Sequence, residues 1–255
     1  MKCVILAAGY ATRLYPLTKD LPKSLLVVAG KTILEHILAK VEEVPEVDEV
    51  LLVSNAKFAR QFTDFLSKYK GKKPISVLDD GTWDNEHRLG AIADLALAIK
   101  QARIDDDIMV LAGDNLFDFS LKDFASFFHN VQADCITTHY EENLEALKRT
   151  GVAELNLKGK VISFEEKPIK PRSNNAVPPF YIYNKATVKL VQQFLGLGQN
   201  ADAPGQFVAW LVKNRHVYAY KFEGKRYDIG SFGSYEDAKR AIEKYKGCNI
   251  RRNDK

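Results

Sequence analysis

Apolar residues in this chain fall into two alternating patterns. Short continuous apolar runs, the pattern of strands buried on both faces, alternate with longer segments in which apolar residues recur every three or four positions. The first run is Lys2 to Ala7. It is followed by a helical face of Ile33, Leu34, Ile37, Leu38 and Val41, opened by Thr32 and Glu35 at capping-box spacing. Val50 to Ser54 reads as the next strand, followed by a helix carrying Phe58, Phe62, Phe65, Leu66 and Tyr69 on one stripe. Ile75 to Leu78 is strand-like. The polar stretch DDGTWDNEHR then leads to a helix expected to turn Leu89, Ile92, Leu95 and Ile99 inward. Ile108 to Ala112 is continuously apolar, as a central strand should be. Strand followed by helix, repeated, predicts an α/β fold with a parallel sheet and right-handed crossovers.

The texture changes after a helix at Leu121 to Asn130, introduced by Ser120 and Asp123, and a strand at Cys135 to His139. Val152 to Leu157 and Val161 to Glu165 flank Lys158-Gly159-Lys160 and read as a hairpin. Ala176 to Tyr183 and Val217 to Phe222 read as further strands. Ser234 to Lys246 reads as a closing helix with a capping box at Ser234 and Asp237. The second half is thus expected to add a smaller antiparallel substructure to the sheet.

Composition narrows the class. A chain of 255 residues, 46% hydrophobic, can bury a full core. A formal net charge of +4, from 37 basic and 33 acidic residues, argues against a nucleic-acid or membrane surface, and the basic tail Arg251, Arg252 and Lys255 is expected to be solvated. Cys3, Cys135 and Cys248 have no disulfide or metal spacing, which fits a reducing compartment. The apolar start is too short for a signal segment, so a cytoplasmic protein is expected.

Four stretches carry candidate chemistry. In a parallel sheet, ligands bind beyond the carboxyl ends of the strands, where LAAGYATRLYPLT must lie. Ala7, Ala8 and Gly9 let backbone N–H groups approach a phosphate or base, while Arg13 offers a fork and Lys23 a point charge. The loop is neither a P-loop nor a complete G-x-G-x-x-G, because position 11 is Ala. Asp114, in Gly113-Asp114-Asn115, leaves the central strand where a carboxylate suits a divalent metal. Glu166 and Lys167 leave another strand just before Pro168, on opposite sides unless the backbone bends. Asp228 sits in the turn Tyr227-Asp228-Ile229-Gly230-Ser231.

Taken in order, LAAGYATRLYPLT with PKSLL, then GDN, EEKP and YDIGS, resemble the sugar-1-phosphate nucleotidylyltransferases over nearly the whole chain. The thymidylyltransferase and uridylyltransferase branch acting on glucose 1-phosphate is the nearest in pattern. The resemblance implies a Rossmann-like three-layer sandwich: a mostly parallel central sheet with a smaller antiparallel sugar-binding substructure. It would form one domain, with a nucleotide-binding half over 1–140, a sugar-phosphate half over 141–233, and a helix and tail over 234–255. It implies that Leu6, Ala7, Ala8, Gly9 and Gly90 line the nucleotide and that Arg13 and Lys23 bind phosphates. Asp114 and Asp228 would hold Mg²⁺. Glu166 would accept sugar hydroxyls, Lys167 would meet the sugar phosphate, and Asn115 and Tyr181 would join them in binding the substrate. The implied partners are a nucleoside triphosphate and a sugar 1-phosphate, with no nucleic acid or membrane, in a monomer or homo-oligomer. The attacking phosphate is already ionised, so no general base is required. That agrees with five scattered histidines (His36, His87, His129, His139 and His216) that read as structural or surface groups.

The chain departs from the family pattern in places. Ala11 replaces a usual Gly, so either φ is expected not to be positive there or the loop is expected to be arranged slightly differently. The Gln that reads the base upstream of Gly-Leu is missing from TWDNEHRLG, leaving Asn85 or Arg88 to contact a pyrimidine, or Arg88 to fold over a phosphate. UTP or dTTP is favoured, with CTP and a polyol or amino-alcohol phosphate as the alternative. Asp202 either binds sugar hydroxyls or starts the following helix. The chain carries no long repeat extension past Lys255, so acyltransferase activity is not expected. A glycosyltransferase would need an Asp-x-Asp metal site. Asp105-Asp106-Asp107 matches that string but precedes its strand, about 16 Å from the carboxyl edge, and reads as a solvated turn.

Overall fold

Strand β1 (Lys2–Leu6) sends alternate side chains into two different hydrophobic clusters, Cys3 and Ile5 into one and Val4 into the other. The same division runs through β4 (Glu49–Ser54), where Val50 and Leu52 oppose Leu51 and Val53. It recurs in β6 (Ile108–Ala112), where Met109 and Leu111 oppose Ile108 and Val110. Strands with no solvent face need helices on both sides. The computed structural model describes residues 1–250, with side chains through 243. The Cys248 thiol and the tail residues Arg251, Arg252 and Lys255 lie outside the described residues.

Between β1 and β4 come the short pair β2 (Val27–Val28) and β3 (Lys31–Thr32) and helix α1 (Ile33–Glu42). After β4 the chain forms α2 (Ala59–Leu66), β5 (Ile75–Asp79) and α3 (Ala91–Gln101). Past β6 it continues through β7 (Asn115–Phe117), α4 (Leu121–Val131), β8 (Asp134–Tyr140) and α5 (Leu144–Leu147). The remainder is β9 (Gly151–Leu155), β10 (Val161–Glu166), β11 (Asn175–Val177), β12 (Phe180–Tyr183), α6 (Lys185–Val188), α7 (Leu190–Gly196), α8 (Pro204–Asn214), β13 (Val217–Lys221), β14 (Arg226–Asp228) and α9 (Phe232–Ile250).

Strands β5, β4, β1 and β6 run parallel. Antiparallel β12 joins β6 to β8, and β13 pairs parallel with β8. The antiparallel strands β11, β9 and β10 extend the same sheet at its far side, while β7 and β14 form a separate two-stranded ribbon. Helices α1, α2, α4 and α9 cover one face and α3, α7 and α8 the other. No described helix is long and apolar enough to cross a membrane.

Local signals hold at α1, where Thr32 and Glu35 form the reciprocal capping box, and at α4, where Ser120 accepts the Asp123 N–H. Three expectations are corrected. The closing helix starts earlier: Ser231 Oγ accepts the Ser234 N–H and Ser234 Oγ accepts the Ser231 N–H, so the box is Ser231/Ser234 and not Ser234/Asp237. The run 176–183 is two strands, because Pro178 and Pro179 have no N–H to give the ladder. Leu89 precedes the first residue of α3 and is 40% exposed, while Ile92 and Leu95 are buried.

Candidate active site

β1 and β6 end side by side, with Leu6 in register with Ala112, and the chains stay clamped beyond the sheet. Gly113 donates its N–H to Leu6 O at 2.8 Å, and Ser24 Oγ donates to Gly113 O at 2.6 Å. A Cβ on Gly113 would lie 2.9 Å from Leu6 O and 3.0 Å from both Ala7 Cβ and Ser24 Oγ, so this crossing requires glycine. Ala8 O accepts Asn55 Nδ2 at 2.8 Å, while Gly9 is exposed with open space in front of it. Ala11 does adopt a positive φ, +50°, contrary to the expectation for a non-glycine residue. Its carbonyl accepts the Thr18 hydroxyl at 2.8 Å and the Leu14 N–H at 2.9 Å, and these bonds offset a left-handed cost of about 1–2 kcal/mol.

Asp114 follows Gly113 and meets Lys23 Nζ at 2.6 Å; its other oxygen accepts Asn115 Nδ2 at 2.6 Å. Asp228 reaches the same place from far along the chain, because β14 pairs with β7 and sets Asp228 opposite Asn115. The Ile229 N–H closes the junction on Asp114 O at 3.1 Å. Arg13, an exposed side chain, stretches to Gly230: its Nη2 is 3.7 Å from where a Cβ on that glycine would be.

Arg226 was absent from the residues picked out in the sequence. Its Nε donates to Asn115 Oδ1 at 2.6 Å and its Nη2 lies 3.5 Å from Asp228 Oδ2. Its position two residues before Asp228 in a strand, and so on the same face, was the available signal. Burial works to raise the Asp114 pKa, but the charge and hydrogen bond of Lys23, with Asn115 and Arg226 behind, hold it below the ordinary value. Asp228 is raised, by desolvation and then by the charge of Asp114, with Arg226, Lys23 and Arg13 opposing.

The residues expected on the acceptor side lie where β10 ends. Lys167 has φ +51°, which supplies the bend that brings it round beside Glu166: its Nζ is 3.9 Å from Glu166 Oε1. The Glu166 carboxylate is mostly buried, and burial raises its pKa while Lys167 pulls it down. Gly205, in the first turn of α8, passes so close that a Cβ there would collide with Glu166 Oε2. Tyr181 on β12 is buried beside this group; burial and the charge of Glu166 push its phenol up and Arg226 opposes. A cavity of about 850 Å³ opens next to Glu166, walled by Ile169, Lys170, Arg172 and Gln206.

Residues expected at the base are arranged differently. Arg88 Nε donates to Asp202 Oδ1 at 3.0 Å and its Nη1 to Asn85 O at 2.9 Å. The two residues assigned to nucleotide and sugar therefore bind each other across two loops. Asp202 does not cap α8, whose N-cap is Ala203. Gly90 has φ +92°, and a Cβ on it would sit 2.8 Å from Ala201 O, so it packs segment 79–90 against segment 200–205. At the opposite end of the sheet, Asp105 pairs with Lys185 and Lys189, Asp106 pairs with the N-terminus, and Asp107 O accepts the Lys2 N–H. The Asp-Asp-Asp run is thus an ion-paired turn remote from Asp114.

Two adjoining carboxylates, flanked by Arg13, Lys23 and Arg226 and opening beside a small-residue loop, match what phosphate transfer demands. Among the described residues no group of three or more His, Cys, Asp or Glu forms a ready-made metal cage. Mg²⁺ needs none, since it binds through one or two carboxylates and fills its octahedron with water and phosphate oxygens. The donor set of Asp114 and Asp228 therefore fits that ion.

The family model described as nucleotidyl transferase matches residues 2–245. The chain belongs to that family. UTP–glucose-1-phosphate uridylyltransferase AglF of Haloferax volcanii is 28% identical over 246 residues, 95% of this chain and 97% of that protein. The bifunctional protein GlmU of Methanocaldococcus jannaschii is 27% identical over 230 residues, 90% of this chain and 51% of that protein, so this nucleotidyl transferase spans about half the length of that relative. A crystal structure of a putative glucose-1-phosphate thymidylyltransferase from Bacillus anthracis in complex with a sucrose matches with TM-score 0.82 over 94% of both chains. At 22% identity, that match shows a shared fold.

Proposed function

We propose that this nucleotidyl transferase joins a nucleoside triphosphate, UTP or dTTP, to a sugar 1-phosphate such as glucose 1-phosphate, releasing pyrophosphate. The observation that carries this reading is the convergence of Lys23, Asp114, Asn115, Arg226 and Asp228 at the carboxyl edge of the sheet. Both substrates are polyanions, and their approach in a partly desolvated cleft costs several kcal/mol unless cations are fixed there in advance.

In the proposed reaction, an ionised phosphate oxygen of the sugar 1-phosphate attacks the α-phosphorus. The bond from that phosphorus to the bridging oxygen breaks, and the electron pair leaves with pyrophosphate. The backbone at Ala7, Ala8 and Gly9 receives the nucleotide, and Arg13 and Lys23 carry the phosphates. Lys167 holds the acceptor phosphate and Glu166 takes sugar hydroxyls, while Tyr181 and Asn115, both buried, support the site from within. Arg226 keeps Asn115 and Asp228 aligned. Asp114 and Asp228 hold Mg²⁺, which when bound supplies charge neutralisation at the reacting phosphates.

A matrix of five nucleoside triphosphates against several sugar and polyol phosphates, read by pyrophosphate release with and without Mg²⁺, tests this. Turnover with UTP or dTTP and a hexose 1-phosphate is expected. Turnover confined to CTP and a polyol or amino-alcohol phosphate would replace the base and acceptor named here. Undiminished turnover by Asp114→Asn or Asp228→Asn would overturn the metal assignment.

A further inference from the structure

A group of buried side chains next to the small-residue loop takes no part in the chemistry above. Tyr10 follows Gly9, and its hydroxyl lies 2.9 Å from Thr82 Oγ1. Thr82 donates to Asp80 Oδ1 twice, from its N–H and from its hydroxyl, both at 2.7 Å. Since the Thr82 hydroxyl proton is directed at Asp80, Tyr10 is the donor to Thr82. Beyond Asp80 lies Asp94, in the first turn of α3, whose N–H is bonded to Gly90 O. The chain Tyr10, Thr82, Asp80, Asp94 thus ties together the nucleotide loop, segment 79–90 and the start of α3. All four side chains are buried.

The last link lacks a visible donor. Asp80 Oδ2 and Asp94 Oδ1 are both buried with no hydrogen-bond partner among the described residues, and the residues are 9% and 6% exposed. The two carboxyl groups are within hydrogen-bonding reach of each other. Ionised carboxylates only accept, so two of them in contact would leave two orphaned oxygens and an unscreened repulsion. One proton between them satisfies both. Neighbouring charge does not relieve the pair: Asp79 adds further negative charge at Asp80, and the charges of Asp79, Asp80 and Asp84 act on Tyr10. Among the described residues, no charged group on β1, β4, α7 or α8, the elements packed on α3, acts on Asp94; Asp80 alone does.

We propose that Asp80 and Asp94 share one proton, and that this carboxyl–carboxylate bond is a positioning device that holds segment 79–90 and the start of α3 against the nucleotide loop. Burial, followed by the charge of Asp80, pushes the Asp94 carboxyl up to about 7, so the proton is lost near neutrality. Losing it puts two negative charges in contact and loosens the segment. The consequence for nucleotide binding rests on the function proposed above; the shared proton does not.

Two readouts keep these apart. Infrared titration of the whole protein reports the proton directly, as a carboxylic-acid C=O band that fades through neutral pH and is missing in Asp94→Asn. Kinetics report its effect: one pH unit above the titration the competent fraction falls to about one tenth, so KM for the triphosphate rises about tenfold while KM for the sugar phosphate changes little. Asp94→Asn, whose amide is a permanent donor, should hold a low, pH-independent triphosphate KM, and Asp94→Ala a high one at every pH. If the band titrates but no triphosphate is turned over, the shared proton stands and the proposed function fails. Absence of the band, or an unchanged pH slope in Asp94→Asn, overturns the device.

Discussion

Replacing Asp94 by Asn should make the protein more stable than its parent at neutral pH, by an amount that disappears in acid. The folded protein holds the Asp94 proton up to about 7, against an ordinary value of 3.8. A pKa raised on folding gives stability that is complete below the unfolded value and is lost as pH climbs through the folded one. The shift is about 3 units, and at 1.36 kcal/mol per unit the parent gives up about 4 kcal/mol between pH 4 and pH 7. Asn cannot ionise and still donates to Asp80, so the variant should not pay this penalty. Against a typical total of 5–15 kcal/mol, a change of that size is easily measured. Urea unfolding of both proteins at several pH values from 4.5 to 8 gives the test, because titrating groups remote from the Asp80–Asp94 pair cancel in the difference. The stability gap should widen steadily in favour of Asp94→Asn and level off above pH 7. A gap that stays constant across the range, or that widens toward acid, would refute the reasoning.

Other expectations follow from particular contacts. Lys167→Ala should raise KM for the sugar phosphate about 30-fold, the worth of roughly 2 kcal/mol for a charged hydrogen bond, with a much smaller effect on the triphosphate; equal losses in separate titrations would count against its role. Gly205→Ala forces a methyl group onto Glu166 Oε2. It should weaken acceptor binding by calorimetry and cost about 1–3 kcal/mol in denaturant melts, while triphosphate binding is retained. Phe207→Ala removes a fully buried ring packed on Tyr183, Phe194 and Trp210 and should cost about 3–5 kcal/mol by the same melts. Asp228→Asn should keep the parent's circular dichroism and lose at least ~100-fold in Mg²⁺-dependent turnover, since a developing charge loses its fixed counter-ion.

Features governed by neighbours in the chain were open to reading from the amino-acid order alone. Continuous apolar runs imply strands covered on both faces, and β1, β4 and β6 divide their side chains between two clusters as that rule requires. Thr32 with Glu35 and Ser120 with Asp123 fall within one helical turn, so the start of α1 and of α4 is written locally. Small residues after β1 and a carboxylate after β6 could be placed at one edge, because strand direction in a parallel sheet determines where chain ends emerge.

What needed the folded molecule was every feature set by contacts that motif position does not record. Ala11 is left-handed because Thr18 and Leu14 bind its carbonyl, which outweighs the preference of its own Cβ. Arg88 and Asp202 are separated by most of the sheet in sequence and meet through the close approach of Gly90 to Ala201, so their roles as separate ligands could not be judged from motif position. Arg226 shares a strand face with Asp228, but its hydrogen bond to Asn115 exists only because β14 pairs with β7. The Asp80–Asp94 pair has no signature along the chain at all. Two acids on a strand end and a helix read as surface charge until packing removes their water, and desolvation is a property of the tertiary structure alone.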